Sequence, residues 1–391
     1  MAAAWSSLGL IAVASGKNVS IIDPTVPFSD ALYCRKVAEK EVSLMFWNSL
    51  GTLLALSDSE GNVSIYKFEF PGRLDSLNLI YTEPNNNPSS PPVAMTWCEN
   101  RRVFSWNSAG LSNGNPTASS SPTSNTPSSS ASCLISRNYQ VDFLPEGYLG
   151  MVILYRDGRV KVLRQSLMPT STGSSSPVFE CVDLVLPDCP LSESVLLSSA
   201  VIQRSNGNVL ILLRQAGGLS IYRLFNVEGQ ETQIVINFNA RIAINPIDPV
   251  HEKFVWFDSR EQIAHLALEP TKNSETLNFI LQHYTIDLQT VPGMTKTTQV
   301  PSSFKCIVHS QRAAGYFLTT LERASEVMML NLSGNIGRNL KLDQAPATIN
   351  SPPFSAFSPL LISPNGLCIC QPATVGNVPL CFYTTVGELN H

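Results

Sequence analysis

Residues 42–68 read VSLMFWNSLGTLLALSDSEGNVSIYKF, and they divide into three short strands and two tight turns. Val42 to Trp47 is apolar or small throughout, the pattern of a strand buried on both faces. Asn48-Ser49-Leu50-Gly51 is a turn, because Asn and Gly tolerate the positive φ that tight reversals demand. Thr52 to Leu56 is a second strand. Asp58-Ser59-Glu60-Gly61-Asn62 turns the chain again, and Val63 to Phe68 alternates at period two. A strand, a Gly turn, an apolar strand, an Asp-x-x-Gly turn and a strand ending in an aromatic residue make the inner part of one β-propeller blade.

The same hairpin recurs along the chain. It stands at 8–22, turning on Ser15-Gly16-Lys17-Asn18, at 149–164, turning on Arg156-Asp157-Gly158, and at 208–224, turning on Gly217-Gly218. Fainter copies lie at 253–268, 315–332 and 365–383. The seven turn centres fall near 16, 60, 158, 217, 260, 324 and 376, and most gaps are close to the ~40–50 residues of one blade. The expected fold is therefore all-β, a single WD40-like β-propeller over 1–391 with seven blades, eight being left open. The Trp-Asp dipeptide typical of that repeat is replaced in the second hairpin by Tyr66-Lys67. Each blade exposes two apolar faces, and radial stacking covers both. A sheet shared by the N- and C-terminal strands is the expected way to close the ring.

The gap between 60 and 158 is about twice the others. It holds a strand-like pair, Val93 to Trp97 and Val103 to Trp106, followed by a tract of Ser, Thr, Asn, Pro and Gly from Ala109 to Ser132. A tract so polar cannot bury enough surface to offset the entropy of ordering it, so 109–132 is predicted to be a disordered insertion. The gap holds either an eighth, degraded blade or an expanded third one. Pro84 to Pro92 and Ser166 to Pro177 are shorter tracts of the same kind. Asp30 to Val42 fits a short helix or an outer strand equally. No long amphipathic helical pattern occurs elsewhere, which excludes a helical bundle or α-solenoid.

Composition narrows the function. Of 391 residues, 43% are hydrophobic and 14% charged, and the formal net charge is −4. No basic block exceeds Arg101-Arg102, so a direct grip on nucleic-acid phosphates is not expected. No apolar run approaches the ~18 residues of a spanning helix, Leu149 to Tyr155 being among the longest, and no membrane association is expected. The N-terminus lacks the cationic and apolar regions of a signal peptide. Nine cysteines are scattered without a Cys-x-x-Cys pair, which fits reduced thiols in an intracellular protein and no local zinc site.

No catalytic or metal site is expected. His251, His265, His283, His309 and His391 show no i, i+2 or i, i+4 pairing. Asp58, Glu60 and Asp157 belong to hairpin turns, where a carboxylate hydrogen-bonds its own backbone. Nucleophile-elbow, Walker and dinucleotide-binding motifs are absent. An enzyme with ligands gathered from several blades at the central channel is the rival from another class. The aromatic residues Trp47, Tyr66, Trp97, Trp106, Tyr222, Trp256 and Tyr383 occupy blade positions and read as core, with some at strand ends able to serve as interface anchors. Ser121, Thr126 and Ser176 precede prolines in the polar tracts and are candidate sites of proline-directed phosphorylation.

The order of AWSSLGLIAVASGKNVSIID at 4–23, the stretch at 42–68, PPVAMTW at 91–97 and GYLGMVILYRDGRVKVL at 147–163 resembles the N-terminal propeller of the Mediator subunit 16 family. Ser363-Pro364-Asn365-Gly366 suits that family's closing blade. The likeness is best over about 4–106 and 139–165. It implies a nuclear, non-catalytic scaffold in the tail module of the RNA polymerase II Mediator complex. Such a scaffold binds other tail subunits and relays signals from transcription activators, without a cofactor. Family members continue into a helical C-terminal region that these residues lack, which implies a fragment or a shortened member. A WD40 adaptor of a ubiquitin ligase or a trafficking complex is the rival on the same fold.

Overall fold

A computed structural model describes residues 2–23, 32–69, 73–106, 134–139, 144, 148–165, 179–187, 196–203, 209–215, 218–226 and 233–242. From residue 253 onward it describes the backbone of the strands named below. Residues 109–132 and the candidate phosphosites Ser121, Thr126 and Ser176 lie outside the described residues.

The first sheet runs β1 (Ala3–Trp5), β2 (Ile11–Ser15), β3 (Asn18–Ile22), β4 (Leu32–Lys36), and the second β5 (Val42–Trp47), β6 (Leu53–Asp58), β7 (Val63–Phe68), β8 (Leu77–Glu83). The stretch from Asp30 thus supplies an outer strand, not a helix. After β9 (Pro92–Glu99) the chain leaves its sheet to form a ribbon of β10 (Arg101–Trp106) and β11 (Leu134–Tyr139). It then returns, and β12 (Leu149–Tyr155), β13 (Arg159–Gln165) and β14 (Phe179–Val185) complete the third sheet outward from β9. The expected strand pair at 93–106 is therefore split between an inner blade strand and the inserted ribbon.

The fourth sheet is β15 (Leu196–Gln203), β16 (Val209–Gln215), β17 (Gly218–Asn226), β18 (Ile234–Ile242). The fifth is β19 (Lys253–Phe257), β20 (Gln262–Pro270), β21 (Phe279–Asp287), β22 (Gly293–Pro301). The sixth is β23 (Phe304–Val308), β24 (Tyr316–Leu321), β25 (Glu326–Asn331), β26 (Ile336–Lys341). The last described sheet is β27 (Leu361–Ile362), β28 (Cys368–Pro372), β29 (Leu380–Thr384). All pairings are antiparallel, and a 3₁₀ turn at Leu74–Ser76 is the one helical element among the described residues.

The inner strands stand side by side: β1 beside β5, β5 beside β9, β9 beside β15, and β15 beside β19. Strand β1 also lies beside β27. The ends of the chain thus meet between two separate sheets, whereas a single shared sheet was expected. The first sheet already takes all four of its strands from residues 3–36, which leaves no place in it for a C-terminal strand.

Burial follows position in the blade. Strand β6 is buried along all six residues, because strands flank both its edges and neighbouring blades cover both its faces. Strand β5 is not the doubly buried strand expected: Val42 and Met45 are buried, while Ser43 is exposed and Phe46 and Trp47 are half-buried. As the innermost strand of its sheet, it has a partner on one edge only. The core packs between blades. Leu54, Leu56 and Tyr66 of the second sheet join Ala12, Val19 and Ile21 of the first, while Ala55 and Ile65 join Met151 and Ile153 of the third. The buried Tyr66, standing in place of the repeat's usual Trp, donates its hydroxyl to the Val37 carbonyl at 2.8 Å. The turn near 260 joins β19 to β20, the first and second strands of its blade, so that hairpin sits one strand earlier than its counterparts.

Candidate functional site

The turns from first to second strand in the first two blades are copies of one pentapeptide, Trp5-Ser6-Ser7-Leu8-Gly9 and Trp47-Asn48-Ser49-Leu50-Gly51. In each, the side chain after the tryptophan closes the turn. Ser6 Oγ accepts from the Leu10 amide at 2.9 Å, and Asn48 Oδ1 accepts from the amides of Thr52 and Leu53 at 2.8 and 2.9 Å. The glycines adopt φ of 89° and 70°, where a side chain would be strained. Leu8 and Leu50 face solvent, 57% and 44% exposed. The two turns touch: a Cβ added at Gly51 would lie 3.1 Å from Leu8 Cγ.

Beneath these leucines the blades are tied edge to edge. Trp47 Nε1 donates to the Ala4 carbonyl at 3.3 Å and Trp97 Nε1 to the Phe46 carbonyl at 3.1 Å. Each indole therefore bonds the residue preceding the tryptophan of the blade before it. Two residues after each tryptophan runs a second chain of bonds. Ser7 Oγ donates to the Ser49 carbonyl at 2.6 Å, and the Ser49 amide donates to Glu99 Oε1 at 2.9 Å. Ser49 Oγ donates to the other carboxylate oxygen of Glu99. Glu99 and Gln203 exchange a reciprocal pair: the Glu99 amide donates to Gln203 Oε1 at 3.0 Å, and Gln203 Nε2 donates to the Glu99 carbonyl at 2.7 Å. Four consecutive blades share one polar chain with two exposed leucines above its start.

At the opposite ends of these strands, charged groups close the turns and pair across neighbouring blades. Asp58 Oδ1 accepts from the amides of Glu60 and Asn62 at 3.0 and 2.9 Å, the turn role expected of it. Asp157 caps its turn through the Arg159 amide and pairs with Arg159 Nε at 2.7 Å. Partial burial raises its carboxyl, but the Arg159 contacts outweigh this and hold it below the usual carboxylate range. Between the second and third blades Lys161 is buried and paired with Glu83, which also accepts from the Tyr81 hydroxyl at 2.6 Å. Tyr81 and Tyr155 are both pushed above the ordinary phenol range, chiefly by burial. Burial, with the Glu83 charge next, pushes the Cys181 thiol up to about 12. Thiols so raised are poor nucleophiles. Among the described residues, no three His, Cys, Asp or Glu side chains gather as a metal site.

Trp47 is half-buried, Tyr66, Trp97 and Tyr222 are buried, and Trp106, Trp256 and Tyr383 lie on strands whose side chains fall outside the described residues. His265 and His283 are likewise placed by backbone alone, on β20 and β21, and His251, His309 and His391 lie outside the described residues. The exposed leucine pair and the Ser–Glu–Gln chain were not anticipated. Their signal was the repeated Trp-x-Ser-Leu-Gly pentapeptide, of which only Asn48-Ser49-Leu50-Gly51 was read, as a turn, while Leu8 and Gly9 were taken into the hairpin at 8–22.

No family model and no curated protein matches this chain. Among solved structures, the β-propeller domain of Cps50 (Swd1) from Myceliophteria thermophila superposes with a TM-score of 0.50 at 10% identity, covering 98% of this chain and 96% of that one. The fold is that of a WD40-type β-propeller. U3-55K gives a TM-score of 0.48 at 10% identity over 95% of this chain and 87% of its own. A chain of a mitotic checkpoint complex gives 0.46 at 12% identity over 98% and 86%.

Proposed function

We propose that this propeller is a non-catalytic scaffold that binds other proteins, and that it serves as a subunit of the Mediator tail in the nucleus. The observation that carries the binding role is the exposed Leu8 and Leu50 pair on touching turns, held above a polar chain that fixes four blades. Apolar anchors on a rigid base lose little entropy when a partner covers them. The assignment to Mediator is supported by the resemblance of 4–23, 42–68, 91–97 and 147–163 to subunit 16 propellers. On this reading the chain binds neighbouring tail subunits and passes activator signals to RNA polymerase II, with no cofactor.

Gentle affinity purification of the tagged native protein, followed by mass spectrometry, tests both levels. Near-stoichiometric recovery of Mediator tail subunits is expected. Recovery of a ligase or trafficking complex would keep the scaffold and reject the assembly, while recovery of no stoichiometric partner would reject both.

A further inference from the structure

The first-to-second connection of the third blade departs from the pentapeptide of the first two. Trp97 and Glu99 keep the places of Trp47 and Ser49, since the Trp97 indole bonds the second blade as the Trp47 indole bonds the first. Where Leu50 and Gly51 would stand the chain has Asn100 and Arg101, and it runs on into the ribbon of β10 and β11 instead of turning. The ribbon therefore leaves the third blade on the face that carries Leu8 and Leu50. Its base is fixed: the Asn100 amide donates to the Tyr148 carbonyl at 3.2 Å, and Asn100 Nδ2 donates to the carbonyl of the buried Leu144. Among the described strands none pairs with either of its edges. A two-stranded ribbon is only marginally stable by itself, so a partner that covers it adds to its order.

Charge follows a defined order along this face. The two ribbon strands hold Arg101, Arg102 and Arg137 and no acidic residue. The register pairs Arg101 with Tyr139, Arg102 with Asn138 and Val103 with Arg137, so all three arginines belong to the half nearest the blade. Arg101 and Arg137 share one face and Arg102 lies on the other, so each face carries at least one. Arg102 is three residues beyond Glu99, the residue that bonds Ser49, and its backbone is within about 11 Å of it. Phe104 and Trp106 follow in the far half. From the leucine turns outward the order is apolar, basic, apolar, in a chain whose net charge is −4.

We propose that the leucine turns and the ribbon form one docking face for an acidic segment of a partner protein, with apolar residues on both sides of its acidic run. The inference rests on the binding role of Leu8 and Leu50 and names the chemistry of what they bind. Opposite charge sets the approach and register of such a segment, and its apolar ends supply buried contact. A nucleic acid matches the face less well, because exposed leucines offer nothing to a phosphate and three arginines make a small electrostatic footprint.

The test places the photo-crosslinker p-benzoylphenylalanine at Leu50, or at Phe104 in a second protein, within the tagged native chain in cells. Both positions are expected to capture one partner within one segment, with acidic residues between the two attachment points. Replacing Arg101, Arg102 and Arg137 with Glu lowers capture at Leu50 about tenfold or more, while Lys at the same three positions retains most of it. Exchanging the acidic residues of the captured segment for Lys restores capture by the Glu variant, which a merely misfolded variant would not allow. Capture at Leu50 without capture at Phe104 overturns the inference and leaves the binding role of the leucines standing. A captured segment without acidic residues, unchanged capture by the Glu variant, or nucleic acid attached at Phe104 also overturns it. Capture of nothing at either position overturns it together with the role of the leucines.

Discussion

Ser49 and Glu99 are fifty positions apart in sequence and joined by two hydrogen bonds, from the Ser49 amide at 2.9 Å and from its hydroxyl, both to one buried carboxylate. The bonds cross from the second blade to the third. They convert a conformational preference of one turn into a constraint on the angle between sheets. A carboxylate accepting from a backbone amide and a hydroxyl is a stronger acceptor than a neutral group.

Glu99→Ala removes the buried acceptor that the Ser49 amide and hydroxyl share. The expected loss is about 2–4 kcal/mol, because an unmet buried donor costs about 1–3 kcal/mol. Glu99→Gln retains one acceptor oxygen and loses less. Urea unfolding of the three proteins, read by tryptophan fluorescence, checks the order. Equal midpoints for wild type and Glu99→Ala would remove Glu99 from any role in joining the blades.

Two glycines at positive φ separate backbone strain from crowding. Gly16 has φ 59° with nothing within 4 Å of an added Cβ. Gly61 has φ 89°, and its added Cβ would meet Asn85 Nδ2 at 2.4 Å and Pro92 Cδ at 2.9 Å. Gly16→Ala therefore carries the left-handed penalty alone, about 1 kcal/mol. Gly61→Ala adds overpacking of about 1–3 kcal/mol. It also displaces Asn85, which bridges Glu60, Asn87 and Ser90. Thermal melts of the two variants should differ in that order, and a larger effect at Gly16 would refute the crowding argument.

The hairpins were legible because their information is local. Asp58 and Gly61 sit a fixed distance apart in the turn, Val63, Ile65 and Tyr66 set the strand after it, and no distant residue is needed to read either. The hairpin near 260 was placed one strand early because Gln282, His283 and Thr285 interrupt the apolar pattern of β21 and hide the true second hairpin. Contacts between blades left no such trace. Gln203 meets Glu99 across 104 positions, and neither residue type announces a partner. Strand β5 was read as fully buried because its composition is apolar. An innermost strand keeps that composition while lacking a partner on one edge, so hydrophobicity alone cannot reveal its half-exposed state.

The thiols give a pH-dependent test. Cys34 is exposed, Cys98 is buried, and Cys181 is held up to about 12 by burial and by the Glu83 charge. Iodoacetamide at pH 8, with labelled positions read by peptide mass spectrometry, should modify Cys34 well before Cys98 or Cys181, and all three after unfolding. The sign of the linked stability follows. A folded-state thiol pKa above the unfolded value means that the unfolded chain gives up its proton first. The Cys181 contribution is complete below the ordinary thiol range of about 8.5 and is lost as pH rises toward about 12. Cys181→Ser should flatten that alkaline decline, and an unchanged slope would show that other groups cause it.

The leucine pair separates binding from folding. Leu8 and Leu50 are exposed, so replacing both with Lys removes little buried apolar area and should shift unfolding by no more than about 0.5 kcal/mol. On a binding face the same change places two charges where a partner's apolar surface must be desolvated. Truncated or charged anchors at the centre of an interface cost about 2 kcal/mol or more each, enough to lower retention of a partner at least tenfold. Affinity purification of the Leu8→Lys/Leu50→Lys chain beside the wild type reads this as a ratio of co-purified subunits. Loss of partners with unchanged unfolding places the interface on these two turns. Full retention moves it elsewhere on the propeller, and loss accompanied by a lower unfolding midpoint would mean that the leucines support the turns themselves.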